Sequence, residues 1–385
     1  MTDKDARNIR RIGINAVFLQ PRMGGLETYV RELVPALLGA RPELEIRIYV
    51  TRDGQALLAG EAWAGDVELV SHPLLGRPGT RAVAETTFLG HLASRDRVDV
   101  LHNVALTAPL KTRAANVVLL ADVTWLRQPE TVGRARSLLW RMLVLPAARR
   151  ADRLITLSEA SRAEIVADVK VPAERVDVIH LGHGASRRAE AMPEDQLRRR
   201  LELGSGPIVL SVSALTPHKN VGALIEAIAL LRQTHPDVIL VVPGNPSAHG
   251  QALARRARML GVEANVSFPG WVSAAELEGL YDAARCFAFA SIREGFGLPL
   301  LEAMARGLPV ACSRASSLPE VAGDAAVYFD PHVPAEIADS LRRLLDDREY
   351  AQKLAAQGQE RQRQFTWERT AVATLQSFQQ TVNGR

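Results

Sequence analysis

Residues 286–313, "CFAFASIREGFGLPLLEAMARGLPVACS", decide the fold. An apolar run at 286–291 leads into a turn bracketed by Gly295 and Gly297. Next comes "LPLLEAMA", apolar at helical spacing, and then a second apolar run in "PVACS". Pro299 suits the first turn of a helix and Gly307 its C-terminal cap. A strand, a helix and another strand, the strands apolar on both faces, form the unit of a parallel sheet covered by helices.

The same alternation extends in both directions. "RIGINAVF", "EIRIYVT", "VDVLHN", "VVLLADV" and "RLITLS" read as strands in the first half. "PIVLSVSAL", "VILVVPG", "VSFPG", "CFAFAS", "PVACS" and "AAVYFD" read as strands in the second. Helical patterns such as "LETYVRELVPALLGA", "VGALIEAIALLRQT" and "EIADSLRRLLDD" lie between them. One sheet cannot hold so many strands, so 385 residues are expected to make two doubly wound α/β domains. The polar segment 183–200, "HGASRRAEAMPEDQLRRR", is the expected break and linker.

Composition sets the class. With 47% hydrophobic and 23% charged residues the chain reads as soluble and globular. The polar start "MTDKDARNIRR" lacks a secretory apolar core, and no run reaches the roughly 18 apolar residues of a spanning helix, so a cytoplasmic location is expected. Cys286 and Cys312 read as reduced core residues. Only five of the 47 basic residues are lysine. The window 134–153, "RARSLLWRMLVLPAARRADR", holds six arginines against one acid, Asp152. It reads either as a helix with a solvated basic edge or as one resting on anionic lipid headgroups. Nucleic acid is not an expected partner, with 5% aromatics and no recognition module.

Ligands of such sheets gather beyond the C-terminal strand ends, so three turns matter. In "NAVFLQPRMGGLETYV", Gly24 and Gly25 precede a helix whose N–H groups favour an anion. In "SVSALTPHKNVGALIEA", Lys219 sits at a helix start, an awkward place for a cation unless an anion shares the site. In the opening stretch, Glu294 and Glu302 flank a turn whose N–H groups at 296–298 suit phosphate oxygens. Carboxylates repel phosphate, so these two are expected to accept hydrogen bonds from hydroxyls. A ligand with phosphates in its middle and diols at both ends, a sugar nucleotide, meets all these demands.

The two glutamates with seven residues between them resemble the E-x7-E signature of family-four retaining glycosyltransferases with the GT-B fold. The similarity runs on through the Gly24-Gly25 loop, "ADRLITLSEASRAEI", "HKNVGALIEAI", "VSFPGWVSAAELEGLY" and "FTWERTA", in family order. It implies two facing Rossmann-like domains with an inter-domain cleft: 1–183 for the acceptor, 184–365 for the nucleotide sugar, and 366–385 as a terminal helix crossing back to the first. By the resemblance Glu302 would bond the donor ribose and Glu294 the transferred sugar. The N–H groups near Phe296, Gly297 and Leu298 would help hold the sugar and diphosphate. Lys219 would neutralise the leaving diphosphate, Gly25 would let its loop approach the phosphates, and Trp271 and Val272 would border the base. The resemblance implies no cofactor and no metal, and the one D-x-D, Asp3 to Asp5, lies in the polar tail.

Two positions depart from the family pattern. Ala214 stands where relatives usually carry a basic residue, and Ala121 stands before Asp122 where many carry a histidine that bonds the donor sugar. His102 is the candidate replacement, with a structural role equally open to it, and Asp122 a candidate sugar or acceptor contact. The expected activity is metal-independent retaining hexosyl transfer, first mannose from GDP-mannose, to a glycan or lipid-linked acceptor in cell-envelope or polysaccharide synthesis. The expected site of action is the cytoplasm, peripheral on the inner membrane face. The alternatives are a weakly active or inactive sugar-nucleotide- or glycan-binding relative, and a nucleotide-sugar epimerase of the same fold. A glycoside hydrolase would use two carboxylates but has no need of Lys219. A nicotinamide dehydrogenase would carry G-x-G-x-x-G after the first strand, and this chain does not.

Overall fold

The computed structural model describes residues 9–21, 23–76, 81–104, 107–131, 133–183 and 189–385. Asp3 and Asp5, and residues 184–188 of the expected linker, lie outside them. The chain divides into two compact units, one of Met1–Gly182 with Phe365–Arg385 and the other of His183–Gln364.

Among the described residues the first unit holds a sheet of seven parallel strands: β1 Arg11–Asn15, β2 Glu45–Val50, β3 Glu68–Ser71, β4 Val100–Asn103, β5 Ala115–Leu119, β6 Arg153–Thr156 and β7 Val176–Val178. Their spatial order is β3-β2-β1-β4-β5-β6-β7. The direction of winding reverses between β1 and β4, which makes that gap the switch point of a doubly wound sheet. The strands β4 and β5 are buried along their whole length, as expected where helices cover both faces. Helix Trp367–Asn383 packs into this unit. Its Thr370 Oγ1 donates to the His180 carbonyl at 2.8 Å, and its Ser377 Oγ donates to Asp177 Oδ2 at 2.6 Å.

Among the described residues the second unit holds six parallel strands: β8 Ile208–Leu210, β9 Ile239–Val241, β10 Val266–Ser267, β11 Ala284–Phe289, β12 Val310–Ser313 and β13 Ala326–Phe329. They lie in the order β10-β9-β8-β11-β12-β13, with the switch point between β8 and β11. The core wraps this central pair: Val209, Cys286 and Ala288 pack with helix Val221–Leu231 through Leu224 and Ile228. Each large aliphatic side chain so enclosed contributes about 1.5–3 kcal/mol. Cys286 and Cys312 are free and buried, and burial pushes the Cys286 thiol up to about 12 and the Cys312 thiol up as well.

Every strand expected from the sequence is present, and the two-domain α/β class is observed. The edge strands β3 and β7 are additional. They carry Glu68 and Asp177, which pair with Arg47 at 2.8 Å and with Arg153, so neither shows an apolar run. The expected linker is also corrected. Its last part forms helix Glu194–Arg200, which buries Leu197 while its arginines pair outward with Glu194 and Asp195.

Candidate functional site

The loops leaving β8 and β11 meet at the second unit's switch point. The Ile292 N–H donates to the His218 carbonyl at 2.9 Å, tying one loop to the other. The first loop ends in the tight turn Pro217–Lys219, and Asn220 then takes a left-handed φ of 55° to enter helix Val221–Leu231. Asn220 is held there by its side-chain N–H on the Pro331 carbonyl at 2.7 Å. Lys219 Nζ is thereby delivered to Glu294 Oε2, with which it forms an ion pair. Both side chains retain 15% exposure, so the pair is shielded but reachable. The ammonium also lies 5.4 Å from the centre of the Phe289 ring.

Glu294 is braced from behind. Its carbonyl accepts from Ser316 Oγ at 2.7 Å and from Ser317 Oγ at 3.0 Å, and Ser317 also donates to the Phe296 carbonyl at 3.0 Å. Ser316 itself has a positive φ of 56°. Gly297 has φ 107° and opens helix Leu298–Ala305, with Pro299 in the first turn as expected. A Cβ at Gly297 would meet Leu318 Cδ2 at 2.9 Å, so the turn demands glycine for both conformation and space. Phe296 is buried beneath the turn and Leu298 starts the helix.

Glu302 sits one turn further along that helix, partly buried. Its Oε2 accepts from the Tyr281 phenol at 2.9 Å. Burial raises its pKa, against the lowering effects of the Tyr281 hydrogen bond and the Arg306 charge. Arg306 donates from Nε to Glu278 Oε2 at 2.8 Å and from Nη1 to the Glu302 carbonyl at 2.8 Å. Tyr281 and Arg306 contact Glu302 and Glu278 holds Arg306, and none of the three is singled out by the sequence. The capping box of Ser273 and Glu276, legible in "SAAE", fixes the start of the helix Ala274–Ala283 that carries Glu278 and Tyr281.

Trp271 and Val272 follow β10 on a turn in which Gly270 has φ 78°. Trp271 is 47% exposed. Both border a pocket of about 340 Å³ with Phe268, Pro269, Arg200 and Glu276.

In the first unit, Gly25 opens the 16-residue helix Gly25–Ala40, with Gly24 at φ 68°. Nothing lies within 4 Å of a Cβ at Gly24, so conformation rather than crowding requires the glycine. Asp122 follows β5 and accepts the Thr124 N–H at 2.8 Å, which starts the short helix Thr124–Arg127. Of the two roles open to His102, its surroundings match the structural one. It is 0% exposed, and its Nε2 hydrogen-bonds the Tyr29 hydroxyl at 2.9 Å, with the Phe378 ring 5.3 Å away. Burial lowers its pKa to about 3 and keeps it neutral. So enclosed, it is a core histidine with no surface to offer a sugar or acceptor.

Comparison with known proteins bears on both units. Residues 193–361 match the family described as Glycosyl transferases group 1, and residues 23–187 match Glycosyltransferase Family 4. O-antigen chain mannosyltransferase B of Escherichia coli is 31% identical over 233 residues, which are 59% of this chain and 60% of that one. The match thus spans less than two thirds of that relative's length. Solved structures share the fold, among them the following two. Sucrose-phosphate synthase from Thermosynechococcus elongatus has a TM-score of 0.76 at 20% identity, over 98% of this chain and 100% of that one. Anabaena HepE in complex with UDP and glucose has a TM-score of 0.74 at 22% identity, over 96% and 100%.

Proposed function

From the premise that the chain belongs to the glycosyltransferases, group 1 in its second unit and family 4 in its first, we propose that it transfers a hexose from a nucleoside diphosphate sugar with retention at the anomeric carbon. The observation that carries this reading is the meeting of Lys219 and Glu294 at the β8/β11 switch point, where doubly wound sheets bind nucleotides. A cation is held there beside a carboxylate and near the N-terminus of helix Leu298–Ala305. A diphosphate suits the ammonium and the helix N–H groups, while hydroxyls suit the carboxylates.

In this account the donor's diphosphate takes Lys219, Glu294 accepts hydrogen bonds from the transferred sugar, and Glu302 accepts from the ribose. The bond from the anomeric carbon to the diphosphate oxygen breaks as the acceptor oxygen bonds to that carbon on the same face. The acceptor's proton passes to a phosphate oxygen of the leaving group. Lys219 stabilises the charge developing there, an effect whose removal costs on the order of a hundredfold or more in turnover. Trp271 and Val272 border the base.

Mannose is the first sugar, supported by the name of the Escherichia coli relative, with GDP-mannose taken as its donor. The acceptor is a glycan or a lipid-linked acceptor of cell-envelope or polysaccharide synthesis. Helix Arg134–Arg150 supports peripheral attachment to an anionic membrane, which would place the protein on the cytoplasmic side of the inner membrane. Leu138, Leu139 and Met142 on it are 59%, 45% and 60% exposed, among arginines. No helix of the described residues is long and apolar enough to cross a membrane. The test is transfer of labelled mannose from GDP-mannose to extracted lipid-linked glycans, beside UDP- and ADP-hexoses, with Lys219→Ala as control. Label in the glycan that Lys219→Ala abolishes is expected. No transfer from any donor, with acceptors competent for another enzyme, would overturn the reading.

A further inference from the structure

We propose that Tyr281 is a positioning residue for Glu302, aiming its carboxylate at the ribose diol, so that the site selects ribonucleotides over 2′-deoxyribonucleotides. The proposal rests on the donor-site reading above and adds the residue that sets its sugar specificity.

The phenol is itself held firmly. Tyr281 is 2% exposed, stacks with Phe287 at 6.2 Å between ring centres, and Phe287 stacks with Phe289 at 5.8 Å. Phe289 is also the ring beside the Lys219 ammonium. One aromatic row thus underlies both the expected ribose end and the expected phosphate end of the site. The Arg306 guanidinium lies 4.3 Å from the Tyr281 ring centre and is gripped by Glu278. A planar guanidinium stacked and chelated in this way is a fixed charge rather than a mobile one.

The phenol O–H donates to Oε2 of Glu302, whereas no described residue donates to Oε1. An ionised carboxylate only accepts, and its two oxygens offer about four lone-pair sites. With one site taken by Tyr281, it can still accept from two adjacent hydroxyls. A protonated carboxyl would lose part of that capacity, and burial pushes Glu302 in that direction. The groups acting on it are the Tyr281 hydrogen bond and the Arg306 charge, which favour ionisation, and the Glu278 charge, which opposes it. Tyr281 therefore fixes the aim of Glu302, and its hydrogen bond favours the charged form against burial.

The experiment is calorimetric titration of the full chain with GDP, UDP, ADP and their 2′-deoxy counterparts, from neutral to mildly acid pH. It compares wild type, Tyr281→Phe and Glu302→Asp. The phenylalanine keeps the ring stack and removes only the hydroxyl; the aspartate keeps the charge but withdraws it from the phenol. Wild type is expected to prefer the ribonucleotide about tenfold, the size of a hydrogen bond to a charged group. Both variants are expected to lose most of that preference. In Tyr281→Phe, acidification should also abolish binding at a higher pH, because the carboxylate has lost a donor that favours its charged form. Survival of the ribose preference and of the acid midpoint in Tyr281→Phe would overturn the proposal. So would an equal fall in both nucleotide series, which is what mere loss of packing would give. Absence of nucleotide binding by wild type would instead overturn the donor-site reading beneath it.

Discussion

Lys219 and Glu294, 75 positions apart in the chain, form an ion pair across the gap between the β8 and β11 loops. The ammonium proposed to receive a diphosphate is already neutralised in the ligand-free fold. On the proposed function, donor binding exchanges one partner for another, releasing the carboxylate to the sugar as the phosphates take the lysine.

That exchange makes Glu294→Gln act in opposite directions on binding and turnover. With the carboxylate's charge gone, Lys219 is no longer engaged, and the repulsion felt by an incoming diphosphate also falls. Affinity for the nucleoside diphosphate is expected to rise about fivefold, equivalent to a shielded pair of about 1 kcal/mol. Transfer should fall by about a hundredfold or more as the sugar loses its charged acceptor. Titration and turnover on one preparation check both, and weakened nucleotide binding would show that the pair does not compete with the diphosphate.

Gly297→Ala tests the turn. At φ 107° and 2.9 Å from Leu318 Cδ2, an added Cβ is strained twice. A cost of about 1–3 kcal/mol is expected, together with loss of most activity because Glu294 is displaced. A melting temperature and turnover equal to wild type would contradict this geometry.

His102 supplies a pH-dependent term in stability. Its folded pKa lies near 3, below the ordinary value of 6.5, so unfolding lets it bind a proton. Its contribution is whole above about pH 6.5 and is lost as pH falls toward 3, at up to about 1.4 kcal/mol per pH unit. His102→Gln should therefore unfold with a shallower acid dependence than wild type in denaturant titrations. Parallel curves would mean that the histidine is not held neutral.

The basic helix is tested with vesicles. Arg134→Glu and Arg136→Glu, both exposed on helix Arg134–Arg150, should each weaken flotation with anionic vesicles by at least about fivefold, since one arginine near such a surface contributes about 1 kcal/mol. Neither change should affect neutral vesicles. Equal binding by wild type and both variants would remove the membrane from the account.

What the sequence made legible follows from which signals are local. The β11–helix–β12 unit could be read because strand, glycine turn, proline and cap all fall within one stretch of residues. The strands β3 and β7 escaped because edge strands are half-solvated, so their charges interrupt the apolar run. Helix Glu194–Arg200 escaped because only Leu197 faces the core. The Tyr281–Glu302 bond joins residues 21 positions apart on two different helices, and only the packing of those helices brings them together. His102 shows the converse: its position at a strand end suggested a ligand contact, and the Tyr29 and Phe378 side chains that enclose it come from distant segments.

The most direct test of the central claim is a thermal-shift panel of GDP, UDP, ADP and their common sugars on wild type and Glu302→Ala. A nucleotide at about a hundred times its dissociation constant stabilises the native state by about 2.7 kcal/mol. The account predicts a shift with one nucleotide class, which Glu302→Ala removes. No shift with any nucleotide, or an undiminished shift in Glu302→Ala, would contradict it.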